Sequence, residues 1–314
     1  MTVPQQDRPT VTVGVPVYNA QRYLERTLTA LRDQDLTDIE VVISDNGSTD
    51  ATRDIVRRFV EADDRFSLLT VDRNVGMPRN YNRVLDAARA PLFMWNASDD
   101  TVRPGHLRAC VAALADHPDA ALAFSQVVYV DEHDRISGRM DDDGLDFRTV
   151  GPAERVRTFL DRDVYQAIGY GAVIRTDFLR RVGGMPVYFS SDMALGVRMA
   201  LRSTWLQVDE PLYQARRHEA QSNKLRTADI ADQSRIIDPD RPRRYGFPEW
   251  YLTYRLVREV VTAPVPWPER GRALQAVAQG WSLPNWRLLG FDVKRNLVRL
   301  TRGRYVGTHE VSPS

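Results

Sequence analysis

Two adjacent carboxylates stand in the run Ser98-Asp99-Asp100, shortly after the apolar stretch Pro91-Leu-Phe-Met-Trp95, which reads as a strand. Side by side at a strand end they repel each other, and a cation relieves that cost. Hard carboxylate oxygens suit Mg²⁺ or Mn²⁺, with a diphosphate completing the shell. A solvated turn or a helix cap would use the same pair, and Asp100-Thr101 precedes a helical pattern. A second polar loop, Ser44-Asp-Asn-Gly-Ser-Thr-Asp50, follows the strand pattern Ile39-Glu-Val-Val-Ile43. Gly47 and Ser48 suit a strand-to-helix turn. Asp45, at the strand tip, can accept a hydrogen bond from a base edge such as uracil offers. A third loop, Val15-Pro-Val-Tyr-Asn19, ends the first strand pattern with a tight turn and a residue suited to capping a helix.

The elements that must position these loops alternate in kind. Val11–Val15, Ile39–Ile43, Phe66–Val71 and Pro91–Trp95 read as strands. Between them, Tyr23, Leu24, Leu28 and Leu31, then Ile55, Val56, Phe59 and Val60, fall on single helical faces. Ser48 or Thr49 can cap the second helix, with Asp50 in its first turn, and Pro78 opens a third that runs to about Ala88. Strand–helix alternation predicts a mostly parallel α/β sheet flanked by helices. Ligands of such sheets sit beyond the carboxyl ends of the strands, where the three loops lie. Further on, a longer strand is expected at Ala120–Val130, a helix at Pro152–Leu160, and a strand at Gly169–Ile174. A helix at Asp177–Val182 should end at Gly183-Gly184. Ser190 should cap another through Leu201, and two short strands should follow at Leu206–Val208 and Leu212–Ala215.

The chain has 314 residues, a formal net charge of +1, 43% hydrophobic and 27% charged residues, which is a globular profile. Near-neutral charge argues against general nucleic-acid binding. The single cysteine, Cys110, excludes an internal disulfide and reads as a small buried hydrophobe. The first residues have no apolar core of a signal peptide, and no apolar run approaches the ~18 residues of a spanning helix. A cytoplasmic protein is expected. From Arg226 onward the pattern is helical and basic, with 15 Lys/Arg against 9 Asp/Glu.

The runs V15-P-V-Y-N-A20, S44-D-N-G-S-T-D50, N74-V-G76 and S98-D-D100, in this order and spacing, resemble the nucleotide-sugar-binding half of the family 2 inverting glycosyltransferases of GT-A fold. The resemblance continues through Gly183-Gly-Met185, Ser191-Asp192 and Arg217-His218, so it covers roughly residues 10 to 225. It implies a Rossmann-like GT-A domain with a nucleotide-sugar-binding subdomain (1–110), an acceptor-binding subdomain (111–225) and a helical C-terminal extension (226–314). It also implies sugar transfer from a nucleotide diphosphate donor to an acceptor hydroxyl, assisted by Mn²⁺ or Mg²⁺. Under it, Pro16, Val17 and Tyr18 line base and ribose, Asp45 binds the base, and Asn74, Gly76 and Arg79 lie on the diphosphate side. Asp100 makes direct metal contact, and Asp99 turns toward the ribose or the metal. Ser98 stands where many members carry an acid, so the metal shell has one carboxylate fewer. His218 completes the metal site or remains a surface histidine. Asp192 is the general base that inversion requires.

Tyr170 and Tyr188 are expected to line an acceptor cleft, since aromatic faces stack on the apolar faces of sugars. Asp141–Asp143 reads as a solvated acidic loop rather than a second metal site. The tryptophans of the extension, interleaved with arginines, are expected to pack against the catalytic domain. Peripheral contact with an anionic membrane and a homodimer interface are the alternatives. Asp45 favours a UDP- or dTDP-sugar, and the acceptor is expected to be a glycan or a lipid-linked or other cell-envelope or secondary-metabolite saccharide. A catalytically silent nucleotide-sugar or glycan-binding module of the same fold is the rival reading. UDP binding with Mn²⁺ but no turnover would mark it. No G-x-G-x-x-G or G-x-x-x-x-G-K-[ST] run is present, which argues against dinucleotide and P-loop enzymes.

Overall fold

In the computed structural model the described residues are 8–140, 145, 147–162, 164–218, 230–240 and 246–302; Asp141–Asp143 lie outside them. β1 (Val11–Val17), α1 (Leu24–Arg32), β2 (Ile39–Asp45), α2 (Thr52–Ala62), β3 (Phe66–Thr70), α3 (Met77–Ala87) and β4 (Leu92–Trp95) form the first half. These four strands pair in parallel, in register from Val11 opposite Ile39 to Val17 opposite Asp45. Their carboxyl ends therefore share one edge, and the three polar loops open there. Gly14 is the point of closest approach of α3 to the sheet. A Cβ built there would come within 2.6 Å of Val84 Cγ2.

The chain continues through β5 (Thr101–Val102), α4 (His106–Asp116), β6 (Ala120–Val130) and β7 (Ile136–Arg139). Then come α5 (Pro152–Asp161), α6 (Tyr165–Tyr170), β8 (Val173–Arg175), α7 (Thr176–Arg181), α8 (Ser191–Ala200) and β9 (Thr204–Arg216). The sheet order is β3-β2-β1-β4-β8-β6-β9-β5, with β7 beside β6. β8 runs antiparallel to both of its neighbours, while β6 and β9 are parallel. This mixed α/β sheet, mostly parallel in its nucleotide half and covered by helices, is the expected GT-A architecture.

Several local expectations are corrected. Between Asp100 and the helix that follows at His106, Thr101 and Val102 form a two-residue strand against β9. Gly169–Ile174 is the end of α6 followed by a strand from Val173 only. The two short strands expected around Leu206 and Leu212 are one strand of 13 residues, β9. Neither Asn19, Ser48 nor Thr49 caps the helix assigned to it. The Asn19 side chain accepts from Thr49 N at 2.9 Å, and Ser48 Oγ accepts from Asn19 N at 2.9 Å, so these caps clasp two loops together. Ser190 precedes α8 in a left-handed conformation with no side-chain cap bond.

The extension is helical: α9 (Ile230–Ile237), α10 (Pro248–Val261), α11 (Trp267–Val277), a π-helical turn at Ala278–Ser282 and α12 (Trp286–Arg302). It packs on the rest of the chain, α10 along α8 and α11 along α5. Leu252, Leu256 and Val260 of α10 are fully buried, and Arg198 of α8 pairs with Glu259 of α10 at 2.7 Å. Glu269 of α11 accepts from Ala153 N at the start of α5, 3.0 Å away. Among the described residues, no helix is long and apolar enough to cross a membrane.

Candidate active site

The turn after β4 places its two carboxylates in opposite environments. Asp100 is turned inward. Its Oδ1 accepts from Arg216 N and its Oδ2 from the Tyr213 hydroxyl, each at 2.7 Å, and the residue is 8% exposed. Burial first, and the neighbouring Asp99 charge second, push its carboxyl up to about 7. Asp100 was expected to make direct metal contact. In this structure both of its oxygens accept from donors on β9, which turns the carboxylate toward that strand. Asp99 is turned outward, and its Oδ2 lies 2.9 Å from His218 Nε2. The carboxylate of Asp99 is 29% exposed and the His218 ring 9%. One carboxylate oxygen and one imidazole nitrogen converging at the sheet edge form a donor set of the kind Mn²⁺ accepts, and diphosphate oxygens can fill the remaining positions. Among the described residues, no group of three or more His, Cys, Asp or Glu forms a metal cage.

Arg216 builds this corner, and sequence reasoning missed it. Its side chain is fully buried. Nε donates to the Asp99 carbonyl at 2.9 Å and Nη1 to the Asp131 carbonyl at 2.7 Å, while Nη2 pairs with Asp134 at 2.5 Å. Its guanidinium also lies 4.8 Å over the Tyr23 ring, which in turn sits 5.0 Å from the His218 ring. An arginine placed one residue after Ala215 in a strand pattern gives no local sign of this role.

Asp192 lies in the first turn of α8. Its Oδ1 accepts from Met193 N at 3.0 Å, and its Oδ2 accepts from the Tyr170 hydroxyl at 3.3 Å. Tyr81, also missed from sequence, joins the two halves of the site. Its buried ring touches Tyr170 at 5.9 Å and Trp95 at 6.0 Å. Burial, with the charges of Asp99, Asp100 and Asp192 behind it, raises the Tyr81 hydroxyl far above the ordinary phenol range. The Tyr81 ring thus stands between Trp95 at the end of β4 and Tyr170, whose hydroxyl reaches Asp192. A pattern of apolar and polar positions on α3 marks Tyr81 only as a core residue.

Pro16 and Val17 end β1 and are buried, whereas Tyr18 is exposed. Asp45 is fully buried: Arg53 Nε donates to its Oδ2 at 2.5 Å, and Ser48 N approaches both oxygens at 3.2 and 3.3 Å. A base edge reaching Asp45 would share it with Arg53. Asn74 Oδ1 accepts from Gly76 N at 2.8 Å and from Asn46 Nδ2 at 2.9 Å. Gly76 has a φ of 97°, and a Cβ there would collide with the Ile237 carbonyl. Arg79 pairs with Asp238 at 2.9 Å, and Arg73 with Asp240. The expected diphosphate-side loop is therefore covered by the residues that end α9. Ser98 contributes its carbonyl to the Thr27 hydroxyl at 3.1 Å. Tyr188 packs against Tyr251 of α10, the two ring centroids 5.3 Å apart.

A sheet with polar loops gathered on one carboxyl edge, and a second helical layer carrying an acid toward that edge, is the architecture of nucleotide-sugar transferases of GT-A type. The chain belongs to glycosyl transferase family 2, whose model matches residues 12–183, more than half of its length, and it is a glycosyltransferase. An uncharacterized protein of Mycobacterium tuberculosis is 26% identical over 293 residues, covering 86% of this chain and 90% of that one. The GalNAc(5)-diNAcBac-PP-undecaprenol beta-1,3-glucosyltransferase of Campylobacter jejuni is 32% identical over 100 residues, and this chain spans about a third (32%) of its length. S. aureus TarS 1-349, solved in complex with UDP-GlcNAc, superposes with a TM-score of 0.65 at 18% identity, over 91% of this chain and 81% of that one. The mannosyltransferase PcManGT of Pyrobaculum calidifontis, in complex with GDP-Man and Mn²⁺, gives a TM-score of 0.59 at 19% identity, over 95% and 77%. At these identities the two solved structures show a shared fold.

Proposed function

We propose that this chain is an inverting, metal-assisted glycosyltransferase that moves a sugar from a UDP- or dTDP-sugar to a hydroxyl of a cell-envelope or lipid-linked glycan. The observation that carries the reading is the His218–Asp99 pair at 2.9 Å beside the β4 turn, linked through the rings of Trp95, Tyr81 and Tyr170 to Asp192, which accepts from the Tyr170 hydroxyl at 3.3 Å. Asp192 accepts the proton of the acceptor hydroxyl as that oxygen attacks the anomeric carbon. The Tyr170 hydroxyl, on Asp192 Oδ2, holds the carboxylate in place for that attack. Asp99 and His218 would hold the cation, and Asp100 fixes the turn that presents Asp99. A divalent cation held there would supply stabilisation of negative charge on the departing diphosphate. Asp45 meets the base and Pro16, Val17 and Tyr18 flank it, while Asn74, Gly76 and Arg79 border the diphosphate. The complexes of TarS with UDP-GlcNAc and of PcManGT with GDP-Man and Mn²⁺ support a nucleotide-sugar donor and a divalent cation. The undecaprenol-linked substrate in the name of the C. jejuni relative supports the acceptor class.

The test is a product-release screen over UDP-, dTDP- and GDP-sugars with Mn²⁺ and Mg²⁺. With the correct donor and acceptor, Asp192→Asn should lower turnover at least about 100-fold. UDP affinity should be unchanged. Unchanged turnover would remove Asp192 from the role of base.

A further inference from the structure

α10 presents two faces. Leu252, Leu256 and Val260 are buried on one, while Tyr251 is 41% and Tyr254 56% exposed on the other. The exposed rings continue inward. The Tyr251 ring meets Tyr188 edge-on at 5.3 Å and Tyr254 at 6.1 Å. The Arg255 guanidinium lies 4.7 Å over the Tyr188 ring, and its Nη1 donates to the Tyr251 hydroxyl at 3.4 Å. Tyr188 stands four residues before Asp192. The strip is also fixed to the helix that carries Asp192. Arg198 of α8 donates to both oxygens of Glu259 at 2.9 and 2.7 Å, and Arg255 reaches Glu259 at 3.5 Å.

The chemistry of the strip is amphipathic. Tyrosine offers an apolar ring face and a hydroxyl at its rim. A sugar ring offers the complement, an axial C–H face and equatorial hydroxyls. The Tyr188 hydroxyl is buried and has no hydrogen-bond partner among the described residues. Burial pushes it up to about 12, so it keeps its proton. A buried polar atom of this kind calls for an explanation.

We infer that Tyr188, Tyr251 and Tyr254, with Arg255, form a subsite for the saccharide chain of the acceptor, beyond the hydroxyl that reacts. The inference rests on the acceptor being a glycan, as proposed above. It extends acceptor recognition from the catalytic domain onto the C-terminal extension. The tyrosines bind ring faces, so the subsite selects for chain length more than for the reacting sugar.

The probe is a printed array of bacterial surface glycans, read with UDP and Mn²⁺ present, for wild type, Tyr251→Ala/Tyr254→Ala and Tyr251→Phe/Tyr254→Phe. UDP affinity of each is measured in parallel by calorimetry, and oligomeric state by light scattering. The wild type should be retained on a class of glycan, the alanine pair should lose at least ten-fold, and the phenylalanine pair should stay within three-fold. UDP affinity should be equal in all three. Equal glycan retention by wild type and the alanine pair overturns the subsite. So does a wild type that binds no glycan, or an alanine pair that only turns a dimer into a monomer. Failure of wild type to bind any nucleotide strikes the donor reading instead, and the array still decides the subsite.

Discussion

At the scale of single residues, neighbouring aspartates of one turn do different work. Asp99 faces His218, and Asp100 faces Tyr213 and Arg216 N. Asp99→Asn should therefore abolish stimulation of donor turnover by Mn²⁺ while leaving the unfolding midpoint nearly unchanged, and His218→Ala should abolish it at some cost in midpoint, because its ring is 9% exposed and packs beside Tyr23. Asp100→Ala should lower the unfolding midpoint and, because Asp100 fixes the turn that presents Asp99, weaken the Mn²⁺ response as well. It strands a buried N–H and a buried hydroxyl, and removing an acceptor from such groups costs about 1–3 kcal/mol each. Denaturant melts with a parallel Mn²⁺ titration separate the two outcomes. The sequence located this turn through an acidic pair after a strand pattern, yet the pair alone did not say which member turns inward. Tyr213 and Arg216 lie more than a hundred positions away, and only the pairing of β5 with β9 brings them to it. Arg216 and Tyr81 were illegible for the same reason: their roles come from what surrounds them.

At the scale of elements, local pattern was a good guide where each strand follows its own helix. β1 to β4 and α2, α3 and α5 fall where apolar spacing puts them. It failed where long-range pairing overrides a local break. Asp209-Glu-Pro211 interrupts the apolar run that becomes β9, but the strand continues because β6 runs beside it with a register shift between Ser125 and Val127. The Asp209 side chain is held there by Gln126 Nε2 at 2.7 Å. A comparable join fixes α4. His106 is fully buried, its Nε2 donating to the Gly171 carbonyl at 2.9 Å and its Nδ1 accepting from Ser125 at 3.0 Å. Burial pushes its pKa down to about 4, from 6.5. The folded state keeps His106 neutral, whereas the unfolded chain takes up a proton below about 6.5. The contribution is thus complete above that pH and is lost as pH falls toward 4. The gap corresponds to about 3 kcal/mol. Stability against denaturant should decline across that window, and His106→Gln should remove this part of the decline.

At the scale of the whole molecule, the basic tail was legible as helices but not as a neighbour of α5 and α8. An amphipathic pattern states that a face will be covered and leaves open by what. One feature of that tail reaches further. Ile237 rests on Gly76, Asp238 holds Arg79 and Asp240 holds Arg73, all on the donor-side loop. Eight positions later α10 begins, bearing Tyr251 and Tyr254. A stretch of that length reaches at most about 28 Å, so the donor-side loop and the tyrosines of α10 are tied by a short tether. We propose that a nucleotide shifting the loop after β3 is felt at the start of α10. The consequence is kinetic. Substrates should add in a fixed sequence, nucleotide sugar first, and the released nucleoside diphosphate should compete with the donor but not with the acceptor. Initial-rate and product-inhibition patterns of random addition would break that link.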